Sequence, residues 1–249
     1  MSKDFYDKVA GKFGNYNTPA KFVREYFEGD PEDIFKQKLL EVGSPNKVVL
    51  DVGCADGRFT LSIASNFKRV VAIDTSEGML AAAKRNQKEL GIGNIDFVNH
   101  NVHAMTFAPN SFDVVYSRRG PTDYPSFKRI LKPGGYFLDI DIGEKDTQGI
   151  KEIFGRGQNY GKWNESVLIK DKEEIRKEDF EVIYAKEFEY NEYYPSYKDL
   201  DIFLQGVPLF EDYDTVKDKR YLEEYIKKYQ SKKGINLPRH RVVTVSIRK

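Results

Sequence analysis

The stretch Val48-Val49-Leu50-Asp51-Val52 shows no alternation of apolar and polar residues. A strand with one wet face alternates, so an unalternated run suits a strand covered on both faces, as in a parallel sheet. Gly53 and Gly57 follow, bracketing Cys54-Ala55-Asp56, and mark a turn in which the backbone takes an unusual φ or passes close to another group before a helix starts. The cycle then repeats. "RVVAID" reads as a strand and Ser76 caps a helix through Met79, Leu80 and Ala83 that ends near Gly91; "IDFVNH" and "FDVVYS" are the third and fourth strands. A helix over 124–131 is stopped by Pro133-Gly134-Gly135, and "YFLDIDI" is the fifth strand.

Five strands alternating with helices imply an α/β fold with a doubly wound, mostly parallel sheet. Right-handed crossovers place every ligand-facing loop on one edge. Upstream, Asp30 caps a helix with Pro31 in its first turn, a stripe of Phe35, Leu39 and Val42, and a stop at Gly43. Downstream, residues 144–170 read as an irregular loop around "GRGQNYGKW". "FEVIYAKEFEY" is a further strand, Leu222, Tyr225, Ile226 and Tyr229 form a helical stripe, and "RVVTVSIRK" is a last strand. The sheet is therefore expected to have seven strands.

With 40 basic and 39 acidic residues in 249, the net charge of +1 provides no global field for nucleic acid or an anionic membrane surface. No stretch approaches the roughly 18 apolar residues of a membrane span, and the charged N-terminus does not read as a signal peptide, so a cytoplasmic location is expected. The single cysteine rules out an internal disulfide, and with only three histidines no metal site is expected.

In an open α/β sheet the first strand-to-helix turn touches the ligand. A dinucleotide fold would show G-x-G-x-x-G, with the pyrophosphate on the helix N-terminus. Here Gly53-x-Ala55-x-Gly57 follows an acid at Asp51, which repels a phosphate and suits a ligand that is cationic at that point. D-V-G-C-A-D-G resembles motif I of the class I S-adenosylmethionine (SAM)-dependent methyltransferases, (D/E)-x-G-x-G-x-G, departing from it at Ala55. Three more segments agree in order: Asp74 at the end of the second strand, "VNHNVHAMTF" after the third, and "FDVVYSRRG" with "FKRILKPGGYFLDID".

The resemblance covers residues 45–142 and implies a Rossmann-like core over 31–143, a helical N-terminal lid over 1–30, and a substrate-side cap over 144–249 that holds the last two strands. It implies SAM as cofactor, S-adenosylhomocysteine as product, and cofactor contacts from Asp51, Gly53, Cys54, Ala55, Gly57, Asp74, Thr75, Met79, Asn101, Val102, His103 and Ser117. Asp74 also suits capping of the next helix, Asn101 an ordinary turn, and Cys54 a small packed residue.

On the acceptor side, Tyr6 and Tyr16 belong to a segment resembling the lid of small-molecule methyltransferases; Phe5, Val9 and Phe13 there also form a packing stripe. Arg118 and Arg119 follow the fourth strand and suit a carboxylate or phosphate, or a salt bridge to an acid such as Asp123 or Asp141. His103, Arg118 and Tyr16 are candidates for a catalytic role, although methyl transfer requires a general base only where the acceptor must lose a proton. The aromatic-rich 190–216 segment is expected to wall the acceptor pocket. The function expected is methyl transfer to a small molecule by a monomer or homodimer, the alternatives being an RNA methyltransferase or a non-catalytic SAM-binding regulator.

Overall fold

The computed structural model describes residues 3–249. The chain divides into two compact units, one comprising Met1–Gly29, Ile142–Val167 and Glu187–Arg241, the other Asp30–Asp141, Leu168–Lys186 and Val242–Lys249. These are unit one and unit two, respectively.

Unit one opens with α1 (Lys3–Phe13) and β1 (Val23–Tyr26). Unit two opens with α2 (Pro31–Val42), whose first turn is fixed by the Asp30 side chain accepting the Glu32 N–H at 2.9 Å and by Pro31, which has no N–H to lose. The predicted cycles follow: β2 (Val48–Val52), α3 (Arg58–Ile63), β3 (Arg69–Asp74), α4 (Glu77–Leu90), β4 (Ile95–Asn99), β5 (Phe112–Arg118), α5 (Tyr124–Ile130) and β6 (Leu131–Ile142). Ser76 caps α4 by accepting the Met79 N–H at 3.1 Å, and Gly91 ends it in the left-handed conformation, as its sequence predicts.

The later elements are α6 (Gln148–Phe154) in unit one, α7 (Val167–Lys177) mostly in unit two, and β7 (Phe180–Tyr194), with residues in both. Then come α8 (Tyr197–Gly206), α9 (Lys219–Tyr229) and β8 (Gln230–Ser231) in unit one, and β9 (Gly234–Arg248), again shared. The expected irregular loop over 144–170 is corrected by α6 and by the start of α7. Helix α6 buries Ile150 and Phe154 on one face and also hides Lys151, a charged residue that an apolar pattern counts as exposed.

In unit two the strand order is β7-β9-β6-β5-β2-β3-β4, and β6, β5, β2, β3 and β4 run parallel to one another. The registers place Ile73, Val52, Ser117 and Asp139 in one row across β3, β2, β5 and β6. Covered on both faces, β2 buries four of its five residues, which explains its unalternated sequence. Leu50, Val52, Phe127, Phe137, Ile175 and Phe180 belong to the core of this unit.

In unit one β1 pairs antiparallel with β7, Val23 opposite Tyr193, and β8 pairs antiparallel with β9. These two short strands bring the described count to nine, not the expected seven. Sequence pattern misses β1 because it is an edge strand with no buried residue; the ladder to β7, not an apolar face, holds it. Ile150, Phe154, Leu222, Tyr225 and Leu237 belong to the core of unit one. Among the described residues no helix is long and apolar enough to cross a membrane.

Candidate active site

The loop between β2 and α3 is built from three left-handed residues, Gly53 (φ 76°), Ala55 (φ 46°) and Gly57 (φ 71°). Ala55 thus occupies the conformation that its Cβ disfavours by roughly 1 kcal/mol or more. Gly57 has a second constraint. A Cβ there would lie 2.6 Å from the Phe97 ring and 2.9 Å from Ala83, so the turn presses α3 against β4 and α4 at a distance only glycine permits.

The loop is pinned to β3. Gly53 and Cys54 donate their N–H groups to the Ile73 carbonyl at 2.9 and 3.0 Å. Ala55 donates to Asp74 Oδ2 at 2.9 Å, while Asp74 Oδ1 accepts the Ser76 N–H at 2.9 Å. The Asp74 carbonyl accepts from His100 N–H at 3.1 Å, so one residue joins the loops after β2, β3 and β4. Capping near Ser76 and a ligand role are compatible, because each carboxylate oxygen has two lone pairs.

Asp51 is 3 % exposed, and its Oδ2 accepts from the Thr60 hydroxyl at 2.5 Å. Burial raises its pKa to about 6 against the opposing hydrogen bond of Thr60. The acid that heads the motif therefore braces the first turn of α3 from inside. Sequence reasoning missed Thr60, whose only signal is its place in the helical turn after Gly57. Burial also pushes the Cys54 thiol well above its ordinary range, reinforced by the charges of Asp51, Asp74 and Asp56, so Cys54 is a packed thiol in an acidic neighbourhood.

The remaining predicted cofactor residues divide by exposure. Thr75 is exposed at the end of β3. Met79 is fully buried, its N–H taken by the Ser76 cap, so it lies in the core beneath the loop. Asn101 is exposed and accepts the His103 N–H through Oδ1 at 3.0 Å, which orders the short 3-10 turn Val102–Ala104 over buried Val102. The His103 ring is exposed, with Nδ1 3.8 Å from Asp123 Oδ2. Ser117 is fully buried, with no polar partner for its Oγ beyond the Asp139 carboxyl; a Cβ on Gly120 would lie 2.9 Å from it.

Arg118 and Arg119 differ from expectation in their partner. Both guanidinium groups pair with Glu32 of α2, Arg118 Nη2 at 2.5 Å from Oε2 and Arg119 through Oε1, rather than with Asp123 or Asp141. Arg118 also stacks 3.8 Å above the centre of the Phe59 ring. Glu32 reads in sequence as a first-turn helix acid, and nothing local reveals its distant partners. Tyr6 and Tyr16 lie in unit one, their ring centres 5.6 Å apart.

The chemistry of this loop fits SAM. Asp51 and Asp74 make the neighbourhood of the loop acidic, while the nearby cations are already paired, Arg58 with Asp56 and Arg118 with Glu32, which favours a sulfonium over a diphosphate. Asp74, Thr75 and Asn101 stand at the ends of adjacent strands, where ribose and adenine would be held.

The sequence profile of the family described as "Methyltransferase domain" matches residues 49–135. The demethylmenaquinone methyltransferase of Lactococcus lactis is 34 % identical over 166 residues, 62 % of this chain and 66 % of that protein. That of Oceanobacillus iheyensis is 23 % identical over 60 % of this chain and 65 % of its own length, and that of Listeria welshimeri 30 % over 47 % and 53 %. The matches thus span between about half and two thirds of these relatives. Among solved structures, a protein of unknown function from Deinococcus radiodurans superposes with a TM-score of 0.64 at 19 % identity, covering 98 % of each chain. A putative methyltransferase from Bacillus halodurans gives 0.63 at 18 %, covering 87 % of this chain and 98 % of its own. Motif, domain match and fold agree: residues 49–135 match the methyltransferase domain, and the chain has the fold of the solved structures it superposes on.

Proposed function

We propose that the chain transfers the methyl group of SAM to a small-molecule acceptor, acting in the cytoplasm as a monomer or homodimer. The observation that carries this reading is the joining of the left-handed loop at 53–57 to Asp74 and, through Asp74, to the loop after β4. When bound, SAM supplies an electrophilic methyl on a charged sulfur, which an acceptor displaces in line.

The chain's part is positioning. Asp74 orients the ribose, the turn at Asn101–Val102 meets the adenine, and the backbone of the 53–57 loop sets the place of the methionine end. The acidic loop disfavours anions and water-shielded diphosphates alike. The named relatives act on demethylmenaquinone, and a planar, apolar acceptor of that kind is the starting candidate. Nearly balanced charge does not favour RNA as acceptor.

The test is calorimetry with S-adenosylhomocysteine and NADH, followed by incubation with methyl-labelled SAM and fractionated metabolites. The reading expects saturable binding of the first ligand only and a labelled low-molecular-weight product. Binding of NADH alone would overturn it, and binding of S-adenosylhomocysteine without any product would leave a regulator in its place.

A further inference from the structure

The carboxylates of Asp139, Asp141 and Asp171 converge on one point in unit two: an oxygen from each lies within 4.8 Å of the others. Asp139 and Asp141 leave β6 on one sheet face, two residues apart, and Asp171 reaches them from α7, which lies outside the residues matched by the methyltransferase family. Asp139 is 3 % exposed and Asp171 9 %, whereas Asp141 is half-buried and opens the cluster to solvent.

Buried carboxylates normally have partners. Here Asp139 Oδ1 has no hydrogen-bond partner, and no Lys, Arg or His forms an ion pair with Asp139 or Asp171 among the described residues. A second buried group points the same way. Ser117 Oγ is fully buried with no polar partner beyond the Asp139 carboxyl of the cluster, and Ser117 is the register partner of Asp139, so their side chains leave the sheet on the same face. Lys170 and Lys172 flank Asp171 in sequence, and Lys170 is turned to Glu174 at 4.0 Å.

A different cluster, Glu144, Glu187 and His240 in unit one, lacks these features. Glu144 accepts the Val167 N–H at 3.2 Å, and the Lys145 N–H points to His240 Nδ1 at 3.4 Å, so its groups have partners within the fold.

We propose that Asp139, Asp141 and Asp171 hold one hard divalent cation such as Mg2+ or Mn2+, with the Ser117 hydroxyl beside it. An oxygen-only donor set suits such ions. Oxygens at about 2.1 Å from an octahedral ion lie roughly 3 to 4.2 Å apart, a spacing the cluster admits with little movement. The site is placed by the strand row that runs from Val52, immediately before the SAM loop, through Ser117 to Asp139. It stands independently of the acceptor's identity.

The experiment uses the full chain stripped with a chelator and titrated with Mn2+, free ion being followed by electron paramagnetic resonance and heat by calorimetry. One saturable site per chain is expected, competed by Mg2+ and weakened at least about tenfold in Asp139→Asn and in Asp171→Asn. Glu173→Gln, an exposed carboxylate on the same helix, should bind as the wild type does. The metal-free Asp→Asn variants should melt no lower than the metal-free wild type, because each removes a like charge from the cluster; this also shows that they fold. Absence of a saturable site up to about 1 mM Mn2+, or a site unaffected by both substitutions, would overturn the proposal. Binding of S-adenosylhomocysteine, measured in parallel, tests the methyltransferase reading separately.

Discussion

The Asp74 carboxylate holds the Ala55 N–H at 2.9 Å on one oxygen and the Ser76 N–H at 2.9 Å on the other, which makes the end of β3 the anchor of the loop that follows β2. Asp74→Ala removes both acceptors and should weaken S-adenosylhomocysteine binding by about 10- to 100-fold, while lowering stability by about 1–2 kcal/mol, the scale of a lost cap. Calorimetry and urea unfolding separate the two effects. Asp74→Asn keeps one acceptor oxygen and should fall between.

Gly57 and Ala55 should respond in opposite ways to one-methyl changes. Gly57→Ala drives a Cβ to 2.6 Å from Phe97 and should cost about 2–4 kcal/mol, with loss of cofactor affinity, because both ring and helix would have to move. Ala55→Gly relieves a left-handed alanine at the cost of backbone entropy, so its stability should change by less than about 1 kcal/mol. Thermal melts with and without S-adenosylhomocysteine measure both.

Glu32 holds two guanidinium groups at once. Glu32→Ala leaves Arg118 and Arg119, each about three quarters buried, without their carboxylate and should lower stability by about 1–2 kcal/mol, less than a fully buried pair would lose. Arg118 retains its stacking on Phe59, so Arg119→Ala in the Glu32→Ala background should add little. A double-mutant cycle by urea unfolding measures this coupling.

Lys151 is 2 % exposed and donates to the Asp146 carbonyl at 2.7 Å. Burial pushes its pKa down to about 8 from 10.5. Between those two values the unfolded chain holds a proton that the folded chain has released, so this group's contribution to stability rises as pH rises from about 8 to 10.5. Below pH 8 both states are charged and the destabilisation is constant, at most about 3 kcal/mol. Lys151→Met should remove that slope, so the stability difference between variant and wild type narrows over the same window in urea titrations at stepped pH.

The elements from β2 to β6 can be read directly because a two-sided sheet imposes apolar runs, and turns between them require Gly or a capping Ser at fixed places, as at Gly57 and Ser76; Pro133-Gly134-Gly135, expected as a turn ahead of the strand, instead lies within β6, which starts at Leu131 directly after α5. Unit one resists such reading. Its helix α6 hides Lys151, and Asp146 is buried with Arg239 Nε at 3.0 Å and Arg241 Nη1 at 2.6 Å, residues that a hydropathy pattern assigns to the surface. In the site itself, Asp74 and the 53–57 loop announce themselves through local spacing. Glu32 and Arg118 are 86 residues apart, and the β1 ladder joins segments about 170 apart in sequence; pairing over such distances leaves no periodic trace. The departure at Ala55 shows that the motif specifies a backbone conformation, which alanine can be forced to adopt, more than it specifies glycine.

Strand β9 lies between β7 and β6, not at an edge, although it is the last strand of this sequence. During synthesis, the chain from β2 to β6 must therefore leave the ribosome with one flank of its sheet open, its N–H and C=O groups uncovered until residues 242–249 arrive. Deleting those eight residues would expose the same flank permanently, and the truncated chain should be recovered as aggregate rather than as a weakened monomer.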